Sequence, residues 1–258
     1  MQHVQVGGLR IEFQQWPATQ PDQPDLLLLH EGLGCVRMWR DFPAQLALAT
    51  GCRVSAASRA GYGYSEPYAE ARRADYLHRE AEQALPALLE VLQLQRPVLI
   101  GHSDGASIAI LFAAMFPRQL SGLVLMAPHE FLEQQTLTAI RAAGQTWLNS
   151  PLPTKLARYH ADPQRVFFDW HDTWLSPDFA AWNIEDSLTA IDCPVLAIQG
   201  WQDEYASMRQ IELIAERVAN CRLLQLEQCA HAPHRDQPLQ LVQAIGEWLQ
   251  GLKNTAGS

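Results

Sequence analysis

The chain has 258 residues, is 48% hydrophobic and carries a formal net charge of −9, with a pI of about 5.4. That length suits one α/β domain with a sizeable core, and the scattered basic residues give no footprint for nucleic acid or an anionic membrane. There is no apolar run of about 18 residues for a membrane span, and the start MQHVQVGGLRIEF lacks the basic and apolar stretches of a signal peptide.

In chain order, QHVQV and LRIEFQQW alternate polar and apolar residues around a Gly-Gly turn, which predicts a β-hairpin. PDLLLLH (24–30) is a continuous apolar run, the signature of a strand buried on both faces of a parallel sheet. MWRDFPAQLALAT has a helical pattern. GCRVSAASR is the next strand, followed by the loop AGYGYSEP. Residues 73–94 carry a long helical period with a proline inside. RPVLIG is a strand, and SIAILFAAMFP behind it is an apolar helix. LSGLVLMAP (120–128) and CPVLAIQG (193–200) are two further buried strands, CRLLQLE is a last short strand, and PLQLVQAIGEWLQGL closes the chain as an amphipathic helix. The end, KNTAGS, reads as a frayed tail. No internal repeat or low-complexity segment is present.

Strands alternating with helices through short loops predict a mostly parallel sheet covered on both faces. Residues 129–187 break this rhythm. They hold four of the eight tryptophans (Trp147, Trp170, Trp174 and Trp182) and read as short helices, which predicts a helical cap inserted into a core of residues 1–128 and 188–258.

The chemistry centres on GHSDG, residues 101–105, placed between the strand RPVLI and the helix. A lone G-x-S-x-G is a weak signal. Its context of strand, turn and helix is that of a nucleophile elbow, whose tight turn leaves no room for Cβ atoms beside the serine. The helix N-terminus also directs a partial positive charge at Ser103. A serine hydroxyl needs a base, and the base needs an orienting acid. Asp203 follows the strand CPVLAIQG, and His231 lies in the loop before the last helix. Glu204 and Glu130 are alternative acids, and His234 is an alternative base. The five cysteines are odd in number and have no C-x-x-C spacing, so they read as buried, reduced thiols of a cytoplasmic protein; Cys35 and Cys229 lie near the proposed loops. The nine histidines show no H-x-x-x-H spacing, so no metal site is expected.

Five patterns in this order resemble the α/β-hydrolase superfamily over nearly the whole chain. They are HEGLG (30–34) with Trp39 behind it, SRAGYGYS (58–65), GHSDG, the G-x-x-D of 200–203, and HAPHRDQP (231–238). The resemblance implies a triad of Ser103, His231 and Asp203. It also implies an oxyanion hole from the backbone N–H of Asp104 and of Gly32, with Leu33 as the alternative second donor. Two residues depart from the family pattern: Glu31 stands where the second residue of HG is usual, and Ser58 where Asp is usual. The G-x-S-D-G elbow is similar to that of valacyclovir hydrolase, where the acid after the nucleophile contacts a substrate amine. On that likeness Asp104 is a candidate substrate contact; separately, Trp147, Trp170 and Trp174 of the cap are candidates to line an apolar acyl pocket.

The implied activity is a serine hydrolase of small carboxylic esters, with thioesters or lactones as further substrates. C–C hydrolysis of meta-cleavage products, enol-lactone opening and cofactor-free perhydrolysis use the same triad. A non-catalytic small-molecule binding protein on this scaffold is the reading of another class. No cofactor is expected, the expected partner is an ester-like small molecule, and a homodimer is common among such enzymes.

Overall fold

The computed structural model describes the backbone of residues 1–256 and the side chains through Leu252. Gln2–Val6 (β1) and Leu9–Trp16 (β2) pair antiparallel around Gly7 and Gly8, whose φ values of 55° and 84° only glycine adopts freely. β2 then pairs antiparallel with Val54–Ala57 (β4). Beyond it run the parallel strands Leu26–Leu29 (β3), Val98–His102 (β5), Gly122–Met126 (β6), Val195–Gly200 (β7) and Cys221–Leu226 (β8). The order across the sheet is β1-β2-β4-β3-β5-β6-β7-β8.

The continuous apolar runs follow from this layering. In β3, Leu27 and Leu29 enter one hydrophobic layer while Leu26 and Leu28 enter the other. Phe42–Thr50 (α1) shares the second layer with the closing helix. The first layer takes Tyr76–Arg79 (α2), Leu85–Val91 (α3) and Asp104–Met115 (α4). The proline expected inside the 73–94 helix is Pro86, near the start of α3, directly after a π-helical turn at Glu80–Ala84. Proline cannot donate to the preceding turn and crowds its carbonyl, and the wider turn accommodates it.

Between β6 and β7 lie Gln134–Asn149 (α5), Leu152–Leu156 (α6) and Pro163–Leu175 (α7). The expectation of short helices is corrected here: α5 has 16 residues and α7 has 13. α5 buries only Thr136 and Ile140, so its sequence lacks the apolar stripe that would have revealed its length. Arg209–Arg217 (α8) was not assigned from sequence either; Ile211 and Ile214 mark its buried face, a signal only two turns long. Pro233–Asp236 (α9) and Pro238–Ala256 (α10) follow β8. α10 carries the chain to Ala256, and the rest of the expected frayed end lies outside the described residues.

The turn from β5 into α4 is packed at backbone contact. A Cβ on Gly101 would lie 2.4 Å from the Gly105 carbonyl oxygen and 2.5 Å from Ala106 Cα. A Cβ on Gly105 would lie 2.1 Å from the Leu29 carbonyl oxygen in the neighbouring strand β3. Neither obstacle is a side chain that can swing away. Gly105→Ala is therefore expected to lose about 3 kcal/mol of stability or fail to fold; urea denaturation showing parental stability would contradict this packing.

Candidate active site

Ser103 sits between β5 and α4 with φ 53° and ψ −117°, a conformation that costs a non-glycine residue roughly 1–3 kcal/mol. It raises the hydroxyl above the C-terminal ends of the strands, where open α/β sheets place their ligands. His231, in the loop between β8 and α9, has Nε2 3.0 Å from Ser103 Oγ. Its Nδ1 lies 2.9 Å from both carboxylate oxygens of Asp203, which follows β7. The carboxylate only accepts, so Nδ1 carries the proton and Nε2 is free to accept from the serine.

Asp203 is fixed by more than His231. Its Oδ1 accepts from the Tyr205 and Ala206 amides at 2.8 and 3.2 Å, and its Oδ2 accepts from Gln199 Nε2 at 2.7 Å. Burial would raise this carboxyl, but the charge and hydrogen bond of His231 and the Tyr205 amide outweigh it, and its pKa is lowered. The partner shifts the opposite way. Burial would lower His231, but the charge and hydrogen bond of Asp203, with Glu204 and Glu31, prevail and raise it. Ser103, His231 and Asp203 thus form one hydrogen-bonded line.

The loop of residues 30–34 lies beside this line. The Glu31 carbonyl accepts from His30 Nδ1 at 2.8 Å, Arg59 Nη2 at 3.1 Å and the Gly34 amide at 3.0 Å. A trans peptide holds its C=O and N–H on opposite sides, so three donors on this carbonyl also fix the direction of the Gly32 N–H. The Leu33 carbonyl accepts from His160 Nε2 at 3.0 Å, which likewise orients the next peptide. A Cβ on Gly32 would lie 2.4 Å from Trp170 Cδ1, so the α7 tryptophan rests on the Gly32 Cα. The amide of Asp104 is the first of α4 and is among the helix N–H groups without an intrahelical acceptor.

Gly32, Ser103 and His231 share a cavity of about 400 Å³. Met38, Ile140, Leu156, Trp170 and Trp174 give it an apolar wall, while Glu31, Glu204, Arg235 and Asp236 are also on its lining. His129 on the same lining has its pKa pushed down to about 4, mainly by burial and then by the neighbouring His231, so it presents a neutral ring.

A profile of the alpha/beta hydrolase family matches residues 26–244. The chain belongs to the alpha/beta hydrolase family. The 2-hydroxymuconate semialdehyde hydrolase of Pseudomonas sp. strain CF600 is 23% identical, over 95% of this chain and 92% of that protein. The serine hydrolase BPHL of Mus musculus is 25% identical, over 90% of this chain and 80% of that protein. Among solved structures, the proline iminopeptidase of Mycobacterium smegmatis has a TM-score of 0.77 at 19% identity, covering 99% of each chain.

This hydrolase departs from the family pattern in ways the structure accounts for. Ser58 donates to the buried carboxylate of Glu12 at 2.8 Å, and Glu12 also accepts from the Tyr64 amide at 3.1 Å. The carboxylate missing at position 58 is thus supplied from β2, a residue that sequence reading passed over. Glu31 turns its carboxylate toward His102 Nδ1 and Arg235 Nη2, each at 3.4 Å. Burial opposes its ionisation, but the hydrogen bond and charge of His102, then His234 and Arg235, hold its pKa well below the usual range. His102 in turn has Nε2 2.7 Å from the His231 carbonyl, tying the elbow to the histidine loop.

Asp104 differs from the expectation of a substrate contact. Its carboxylate is fully buried, accepts from Tyr76 Oη at 2.7 Å and from Arg59 Nη2 at 3.2 Å, and is not on the cavity lining. Tyr76 accepts from Trp174 Nε1 at 2.9 Å and Arg59 Nη2 donates to the Glu31 carbonyl at 3.1 Å, so Asp104 reaches the pocket only indirectly, through Tyr76 and Arg59. Trp170 and Trp174 line the cavity, whereas Trp147 stacks on Phe167 with ring centroids 4.3 Å apart, away from it. The physical reason is geometric: α4 turns the Asp104 side chain into the layer beneath the pocket, and α5 turns Trp147 toward α7.

The alternative triad members lie elsewhere. His234 packs on Trp39, with ring centroids 4.7 Å apart. Glu204 is exposed and accepts from the His231 amide at 3.3 Å. Glu130 is fully buried, and neither carboxylate oxygen has a hydrogen-bond partner. Burial also disarms the thiols near the site, raising Cys35 and Cys229 to about 12. Among the described residues, no cluster of three or more His, Cys, Asp and Glu could hold a metal ion, and no helix is long and apolar enough to cross a membrane.

Glu130 generates a stability test. Burial raises its pKa well above the ordinary 4.5, so the folded chain keeps a proton that the unfolded chain gives up above that pH. Stability therefore falls as pH rises through that window, by up to about 1.4 kcal/mol per pH unit, until the folded carboxyl itself ionises. Glu130→Gln is expected to be more stable than the parent at pH 8, with the gap vanishing near pH 4; a gap that stays constant across this range in chemical denaturation would refute the burial of a protonated carboxyl.

Proposed function

We propose that this alpha/beta hydrolase cleaves small carboxylic esters, with thioesters and lactones within reach, through Ser103, His231 and Asp203. The observation that carries the reading is the unbroken line from Asp203 through both nitrogens of His231 to Ser103, with steps of 2.9 and 3.0 Å.

His231 Nε2 takes the Ser103 proton as Oγ attacks the acyl carbon. The carbonyl π electrons move onto oxygen, forming a tetrahedral intermediate. The amides of Asp104 and Gly32 receive that oxyanion, each contributing about 3–4 kcal/mol to the barrier reduction. Gly32 is favoured over Leu33 because its N–H belongs to the peptide whose carbonyl is held by three donors. The imidazolium gives its proton to the departing alcohol, and an acyl-enzyme remains. Water then loses a proton to His231 and attacks the acyl carbon; as the second tetrahedral intermediate collapses, the C–Oγ bond breaks, the imidazolium returns that proton to Ser103 Oγ and the carboxylic acid is released. Asp203 holds the tautomer and stabilises the imidazolium. Residues 129–187 act as a cap in this scheme: Trp170 and Trp174 wall the acyl site, and Trp170 restrains the Gly32 loop.

The relatives leave C–C hydrolysis as a second chemistry for the same line, since one of them is named a semialdehyde hydrolase. Rates on p-nitrophenyl acetate, a lactone and a dienoic diketone separate the two. Ser103→Ala is expected to lose p-nitrophenyl acetate hydrolysis by roughly 10³-fold or more, along with labelling by a fluorophosphonate. Parental turnover in that variant would sink the proposal.

The pH profile has a defined sign. His231 must be neutral to act as base, and its pKa is raised. kcat/KM should therefore climb with pH through an acid limb centred above the ordinary 6.5. Asp203→Asn removes the main raising influence and the tautomer lock, so that limb should move down while kcat drops on the order of 10⁴-fold. An unmoved limb in this variant would separate the histidine from the acid.

A further inference from the structure

Carboxylates outnumber Lys and Arg on the lining of the catalytic cavity by three to one among the described residues. Three carboxylates stand on its lining: Glu31 from the loop after β3, Glu204 from the loop after β7, and Asp236 at the end of α9. They are held in place. The His231 amide donates to Glu204 Oε2 at 3.3 Å, and the Ala230 amide donates to Asp236 Oδ2 at 2.9 Å. Glu31 is kept ionised by His102 and Arg235. Among the described lining residues Arg235 is the one Lys or Arg, and it is already engaged by Glu31 at 3.4 Å; His102, also on the lining, faces the same carboxylate at 3.4 Å. His129 adds no charge, because burial holds its ring neutral. His231 faces the buried carboxylate of Asp203, so that pair carries no net positive charge even when the imidazole is protonated.

We infer that the site selects uncharged or cationic acyl substrates and rejects substrates that carry a carboxylate or phosphate. This rests on the hydrolase reading above and sharpens it to a substrate class. A second anion brought to this pocket meets Arg235 already paired with Glu31, and it is opposed by Glu204 and Asp236, which have no cationic partner on the lining. Low-dielectric walls such as Trp170 and Trp174 focus that field onto the ligand. The same field acts on the reaction's outcome. Hydrolysis turns a neutral ester into a carboxylate, so the product acid becomes the disfavoured occupant and leaves. Substrate entry and product exit are thereby driven by one arrangement of charge.

The experiment compares three p-nitrophenyl esters of matched chain length: the neutral pentanoate, the anionic monoester of glutarate, and the cationic ester of 4-(trimethylammonio)butyrate. At low ionic strength the neutral ester should exceed the anionic one in kcat/KM by roughly ten-fold, and the difference should shrink several-fold near 0.5 M salt, as screening removes it. The cationic ester should match or exceed the neutral one. Glu204→Gln removes one of these charges but keeps an acceptor for the His231 amide, and should narrow the neutral-to-anionic ratio whatever it does to the rate on the neutral ester alone. Glutarate should inhibit more weakly than the neutral ester binds. An anionic ester turned over as well as the neutral one at low salt, or a ratio indifferent to both salt and Glu204→Gln, would overturn the inference. If no ester is turned over, the hydrolase reading fails instead. Calorimetric binding of the same three esters to Ser103→Ala then still decides the charge preference, with equal affinity for all three refuting it.

Discussion

Everything at the site depends on how closely α4 approaches the sheet. Glycine at 101 and 105 lets backbone meet backbone where a methyl group would stand 2.1–2.4 Å from a carbonyl oxygen. That contact forces the chain to reverse within one residue, and Ser103 takes up the positive φ that results. The strain has a use. It holds the hydroxyl above the strand ends, at the start of α4, where Asp104 offers an amide with no carbonyl of its own to serve. A looser turn would relax the serine and displace the Asp104 amide together.

The rest of the site is a set of loops braced against this turn. His102 reaches back to the His231 carbonyl, and Ser103 N donates to the Met126 carbonyl at the end of β6. The loop after β3 is held by its own carbonyls: those of Glu31 and Leu33 are bonded to side chains from three different segments, His30, Arg59 and His160. Buried polar groups of this kind are costly unless paired, so each pairing also fixes a direction. The helices between β6 and β7 join the same bracing. Thr136 donates to the Tyr205 carbonyl, Gln135 to the Asp203 carbonyl, and Trp170 lies on Gly32. Specificity and catalysis are therefore not separable layers: the residues that would shape the acyl pocket also restrain the residues that would do the chemistry.

Much of this was legible in the chain. The strands and the principal helices of the sheet layers were readable because burial on both faces demands unbroken runs such as LLLL, which few other structures tolerate. The elbow was readable because its glycines answer a local steric demand. α5 and α8 were harder: α5 buries only Thr136 and Ile140, and α8 buries Gln210, Ile211, Leu213 and Ile214 but is only nine residues long, so neither offers a long apolar stripe to find. Glu12 was invisible as a partner of Ser58, because 46 residues separate them and no local pattern links a strand residue to that loop. Asp104 invited a substrate role by its position in the motif, and only its surroundings show the carboxylate turned to Arg59 and Tyr76.

The sequence by itself determined the family, the order of elements, and which serine, acid and histidine are available, because those signals are short-range and chemically restrictive. The tertiary structure alone decided which groups face the cavity. It brought Asp203 and Ser103 to opposite nitrogens of one imidazole, sank Glu130 into the core, moved Trp147 aside, and gathered Glu31, Glu204 and Asp236 around a pocket whose one arginine is already paired. The reason is one of range. Backbone propensity and steric fit act over a few residues, whereas the charge and shape of a pocket are sums over loops distant in sequence, and only folding sets their distances.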